Sequence, residues 1–109
     1  MKHYKVQWTK SATMDLESII EYIKIDSIST AKKIFFEIQK ECENLYYFPL
    51  KYRVVPELQQ IGIVKYRELI YKRWRIVYQV EEKIVYILLI ADSNRNLEDI
   101  LFQRLLKTP

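Results

Sequence analysis

The chain has one glycine, one cysteine, one histidine and three prolines in 109 residues. Each scarcity removes a class of chemistry. One glycine leaves no glycine-rich loop to cradle a phosphate. Cys42 has no partner for an internal disulfide, and with His3 as the only histidine there is no metal-ligand cluster. A Ser-His-Asp triad would have to recruit His3 from the first strand, and no neighbouring residue supports one. His3 reads as a surface residue near a terminus. Cys42 falls on an apolar helical stripe, where a small buried hydrophobe is expected rather than a nucleophile. The start, Met1-Lys2-His3-Tyr4-Lys5, has no apolar run of signal-peptide type, and no run anywhere is long enough to span a bilayer. The expectation is a cytoplasmic protein without metal, cofactor or membrane contact.

What the chain does have is apolar content and positive charge. Half of its residues are hydrophobic. Its length suits one domain over residues 1–109, burying roughly 60–70% of the extended chain's surface. The net charge is +4, and it is unevenly placed. Lysines and arginines balance acids over residues 1–50. Lys51, Arg53, Lys65, Arg67, Lys72, Arg73 and Arg75 face only Glu57 and Glu68 over residues 51–75. A patch of this kind either steers an anionic partner or is a solvated strand face with local pairing.

Periodicity supplies the elements. Tyr4 to Thr9 alternates as a half-buried strand, with Tyr4, Val6 and Trp8 on one face. Ser11 is placed to cap a helix whose stripe is Ala12, Leu16, Ile19, Ile20 and Ile23. Asp26-Ser27 interrupts it. A second helix from near Ser29 carries Ala31, Ile34, Phe35, Ile38, Cys42 and Leu45, and Pro49 stops it. Residues 49–65 form the longest loop, with room for a short strand or for one helical turn around Glu57-Leu58. Three runs follow: Tyr66–Ile70, Trp74–Val80 and Ile84–Ala91. They read as an antiparallel meander, and the last, apolar throughout, belongs inside the sheet. Asn96 can cap a final helix. The fold expected is α+β: an antiparallel helical hairpin on one face of a mostly antiparallel four-stranded sheet, in the order β-α-α-β-β-β, with a C-terminal helix.

The candidate working residues are guanidinium groups and one carboxylate: Arg53, Glu57, Arg67, Arg73, Arg75 and Arg95. Alternation allows Arg67 and Arg75 to line one surface away from the helices. Arginine forks suit phosphate or an acidic protein strip. Alternatively, Arg67 and Arg75 pair with Glu57 or Glu68 and have a structural role. Tyr46, Tyr47, Tyr52 and Leu106 exceed what a lone domain needs at its surface, and are expected either to bind a partner or to pack beneath the last helix.

Taken in order, several segments resemble the RelE/ParE superfamily of bacterial type II toxins, closer to the ParE-type branch. They are Val6-Gln7-Trp8-Thr9 with Ala12 and Asp15-Leu16, Phe48-Pro49, Arg53-Val54-Val55-Pro56-Glu57-Leu58, Gly62-Ile63, Tyr66-Arg67-Glu68-Leu69, Trp74-Arg75-Ile76-Val77-Tyr78, and Asp92 to Arg95. The resemblance implies a toxin neutralised by a cognate antitoxin, for which Tyr46, Tyr47, Tyr52 and Leu106 would be the contact residues. One branch of the superfamily poisons DNA gyrase; the other cuts mRNA on the ribosome. Metal-free RNA cleavage needs a base, an acid and cations for the phosphorane charge. Glu57 could be the base, with Arg53, Arg67, Arg75 and Arg95 on phosphate. The place after the last strand, where nuclease members carry His or Tyr, reads Asp92-Ser93-Asn94-Arg95-Asn96 and offers no acid. The expectation is therefore a gyrase inhibitor that works by contact, with Arg53, Arg67, Arg73, Arg75 and Arg95 facing the target. A ribosome-dependent endoribonuclease and an inactive toxin relic are the alternatives.

Overall fold

In the computed structural model, residues 3–106 are described. The order is β1 (Lys5–Trp8), α1 (Lys10–Asp26), α2 (Ile28–Glu43), α3 (Pro56–Gln59), β2 (Tyr66–Tyr71), β3 (Trp74–Glu81), β4 (Ile84–Asp92) and α4 (Leu97–Arg104). Two 3-10 turns, Asn44–Tyr46 and Pro49–Lys51, follow α2. Thr9, not Ser11, caps α1. Its hydroxyl accepts from the Ala12 N–H at 3.2 Å and donates to the Ile87 carbonyl at 2.8 Å. One side chain thus starts the helix and pins it to β4, a long-range contact that local spacing does not reveal. Ser27 alone joins α1 to α2. It ends α1 through its N–H to the Ile23 carbonyl, and its hydroxyl accepts from the Thr30 N–H. A one-residue joint leaves the helices no option but a tight hairpin.

The sheet order is β1-β4-β3-β2. β4 lies inside it, as its continuous apolar run requires. β2, β3 and β4 form the antiparallel meander, while β1 pairs parallel with β4, so the sheet is mixed. The two strand turns each carry a non-glycine residue in the left-handed region, Lys72 (φ 52°) and Glu82 (φ 55°). The Lys72-Arg73 turn sets Tyr71 opposite Trp74, and the rest of the β2–β3 register follows from it.

Both faces of the sheet are covered. Leu69, Trp74, Ile76, Tyr78, Val85, Ile87 and Ile90 pack against Ala12, Leu16, Ile34, Ile38 and Cys42 of the hairpin. Tyr66, Val77, Leu89 and Ala91 on the other face pack against Val55, Leu58, Leu97 and Leu101. The helices are therefore not confined to one side: α3 and α4 form a second, smaller layer. The physical reason is visible in β3 and β4, whose apolar residues fall on both faces and so need two covers.

Leu88 is an extra residue in β4, because Tyr78 pairs with Ile87 and Val77 with Leu89. The backbone polar groups beside this bulge are taken by side chains. The Ile90 N–H donates to Asp15 Oδ2 at 3.0 Å, and Arg104 donates to the Leu88 carbonyl at 3.0 Å. Arg104 also grips Asp15 through both carboxylate oxygens at 3.1 Å. α1 and α4 are thereby tied to one point on β4. Among the described residues no helix is long and apolar enough to cross a membrane.

Candidate functional site

The arginines expected to share one surface do not. In an antiparallel pair, residues directly opposite share a face. Arg67 lies opposite Tyr78, a residue of the hairpin-side core, whereas Arg75 lies opposite Ile70 and sits on the same face as Glu68 and Val77. The register set by the Lys72-Arg73 turn thus splits Arg67 from Arg75. Arg67 is half-buried and donates to the Tyr52 carbonyl at 2.6 Å, fastening the loop before α3 to the rim of the sheet.

Arg75 is 9% exposed and is the centre of a charge network. Its Nη1 and Nη2 meet the two carboxylate oxygens of Glu57, each at 2.8 Å. Its Nε donates to Glu68 Oε1 at 2.6 Å. The other oxygen of Glu68 accepts from Arg53 Nε at 2.6 Å. The order Arg53–Glu68–Arg75–Glu57 alternates in sign and sums to zero. Glu68 is 1% exposed, and both of its oxygens are hydrogen-bonded to arginine, as a buried carboxylate requires. Among the described residues no buried side-chain polar atom lacks a partner.

The network sets the protonation behaviour. Hydrogen bonds from Arg75 hold the Glu57 carboxyl below its ordinary value, against the opposing pull of burial. Burial would lower the Arg75 pKa, but the hydrogen bonds to Glu57 and Glu68 outweigh it and raise it. Glu57 is thus a carboxylate already engaged at both oxygens and reluctant to accept a proton. Burial raises the Cys42 thiol to about 12, which leaves it no nucleophilic character near neutrality. No group of three His, Cys, Asp or Glu residues is arranged to hold a metal among the described residues.

The remaining arginines lie at the far end of the sheet. Arg73 is exposed and paired with Asp92, whose carboxyl is held low first by the Asn94 N–H and then by Arg73. Arg95 is exposed in the turn before α4 and makes no ion pair among the described residues. Both line a groove of about 580 Å³ between α1, α2 and the end of β4, floored by Trp74 and Ile90 and walled by Ile19, Tyr22 and Ile34. The groove was not legible in the sequence. The available signal was Tyr22, a large aromatic residue outside the apolar stripe of its helix. Of the residues expected to meet a partner, Tyr46 (38%) and Tyr47 (50%) are exposed. Tyr52 and Leu106 are half-buried against the two cores. Met14, Tyr22, Ile25, Ile28 and Phe36 add exposed apolar surface on the hairpin.

A family model described as the ParE toxin of type II toxin-antitoxin system, parDE, matches residues 6–97. One structurally similar chain is from the chromosomal ParDE TA system from P. aeruginosa. It is 20% identical with a TM-score of 0.68, and the match covers 83% of this chain and 96% of that one. Another is from the toxin-antitoxin complex RelBE2 from Mycobacterium tuberculosis, at 17% identity and TM-score 0.63, covering 84% of this chain and 93% of that one. At these identities the structural likeness speaks for the fold alone. No curated protein matches by sequence.

Two measurements probe the network. Glu68→Ala strands Arg75 with one partner and is expected to cost about 3–5 kcal/mol in urea denaturation. Arg53→Ala leaves the second oxygen of buried Glu68 without a donor and should cost about 1–3 kcal/mol, less than Glu68→Ala because the guanidinium removed is itself 56% exposed. The folded-state pKa of Glu57 is depressed from 4.5, so its contribution to stability is present above that pH and is lost as pH falls below it. Urea midpoints measured from about pH 6 to about pH 3 should fall less steeply for Glu57→Gln than for the parent.

Proposed function

The chain belongs to the family of ParE toxins of type II toxin-antitoxin systems, and on that footing we propose that it inhibits DNA gyrase by protein–protein contact, without turnover. The observation that carries this reading is the state of Glu57. RNA cleavage without a metal needs a base to take the 2′-hydroxyl proton. The carboxylate placed to do so is held at both oxygens by Arg75 and has a lowered pKa. Arg75, which would hold the phosphate, is buried and already paired with Glu57 and Glu68. Contact with a protein target needs neither group free. It needs exposed charge beside apolar surface, and Arg95, with the exposed Arg73–Asp92 pair, supplies it at the mouth of the Trp74–Ile90 groove.

The unit acts in the cytoplasm as one domain over residues 1–109. Its second partner is a cognate antitoxin, which covers exposed apolar surface that includes Tyr46 and Tyr47 and reaches Tyr52 and Leu106 at the margins of the two cores. Purified chain in excess should block supercoiling of relaxed plasmid by gyrase. Arg95→Glu, at an exposed turn, should raise the concentration needed by about tenfold, the equivalent of ~1.4 kcal/mol. Undisturbed supercoiling together with new cuts in ribosome-bound message would reverse the reading.

A further inference from the structure

Tyr46 and Tyr47 form a shaped corner as well as an apolar patch. Their rings meet nearly edge to face, with centroids 4.9 Å apart and planes at 72°. His3 stacks on Tyr46 at 4.6 Å and meets Tyr47 edge-on at 5.9 Å. Three rings therefore fix one another's orientation. The Tyr4 N–H donates to the Tyr46 carbonyl at 2.9 Å, which holds the turn carrying both tyrosines against the start of the sheet. The corner opens into a pocket of about 440 Å³ completed by Val6, Glu43 and Asn44.

Glu43 is the one charged residue that lines this pocket, with Lys40 in the same last turn of α2. Glu43 is the last residue of a 16-residue helix and makes no ion pair among the described residues. Its carboxylate adds to the partial negative charge that aligned peptide dipoles place at a helix C-terminus. Tyr46 and Tyr47 also line the pocket, and an aromatic ring's quadrupole attracts a cation. Together they suit a cation with an apolar stem. A nucleobase could stack on the same rings, but its phosphate would then lie beside Glu43 and be repelled.

We propose that this pocket binds a lysine or arginine side chain presented by a partner polypeptide. The apolar stem lies on Val6 and the tyrosine rings, and the charged head faces Glu43. The inference deepens the antitoxin reading, which already places a partner over Tyr46 and Tyr47, and the small-molecule probes test the pocket's chemistry whether or not that reading holds. It is tested on the full chain by following backbone amide NMR signals during titration with N-acetylarginine amide, neutral N-acetylnorleucine amide and uridine monophosphate. The arginine probe should shift Glu43, Tyr46 and Tyr47 saturably, with a dissociation constant on the order of millimolar. Glu43→Gln, at an exposed helix end, should weaken that binding about tenfold while leaving the rest of the spectrum in place. The other two probes should leave these signals unmoved. Equal binding of the norleucine probe would reduce the corner to a plain apolar patch. Tighter binding of the nucleotide would make it a base-stacking platform. A diffuse response over all surface acids, or none, would likewise overturn the proposal.

Discussion

The structure depends on one buried carboxylate. Glu68 sits on β2 with both oxygens claimed, one by Arg75 of the neighbouring strand and one by Arg53 of the preceding loop. Removing a carboxylate from water is costly, and the cost is met only if the surrounding cations stay in place. Their positions fix much else. Arg53 brings its loop alongside β2, where the Glu68 N–H bonds the Arg53 carbonyl and the Val55 N–H bonds the Tyr66 carbonyl. Arg75 reaches past Glu68 to Glu57 and so fixes the single turn of α3 over the second face of the sheet. The longest irregular segment of the chain is thereby held by charge as much as by packing. A buried ion pair is weak evidence for net stability, since an apolar replacement of similar volume can do as well. Its contribution here is to specify one position for a segment whose apolar anchors are few, chiefly Val55 and Leu58.

The same network decides which parts of the molecule are left for function. It consumes Glu57 and Arg75, the pair that acid–base chemistry on a phosphate would require. Arg67 is spent on the Tyr52 carbonyl. At the other end of β3 and β4, Arg95 makes no ion pair among the described residues and borders an apolar groove beside the Arg73–Asp92 pair. The sheet is thus a partition. Its end nearest α3 holds the four-residue ion-pair chain, and its end nearest the α4 turn presents Arg95 and the Arg73–Asp92 pair beside exposed hydrophobic surface.

The elements, the helical hairpin and the antiparallel meander could be read in the sequence; the strand register and the second helical layer could not. β4 was identifiable as an interior strand because no face of Ile84–Ala91 is polar, and the stripes of α1 and α2 marked the residues that pack on the sheet. Asn96 was identifiable as a cap from its spacing to Asp99, and its side chain does accept from the Asp99 N–H. Thr9 was missed as a cap because half of its hydroxyl's role is a bond to Ile87, 78 positions away. The strand register was out of reach for a related reason. Alternation within a strand says which residues share a side, but a turn decides which side faces its neighbour's. That one unknown separates Arg67 from Arg75 and turns an expected cationic surface into an internal ion-pair chain. The pairing of Arg75 with Glu57 and Glu68 was legible as an alternative from charge balance alone, since those are the only acids in the basic stretch from 51 to 75.

Glu57, held at both oxygens by Arg75, is a structural carboxylate and not a proton acceptor. The most direct test is induced expression of Glu57→Gln beside the parent chain, with the fold of each checked by circular dichroism. The account predicts that the folded variant arrests growth as the parent does. A variant that folds normally and is harmless would contradict it.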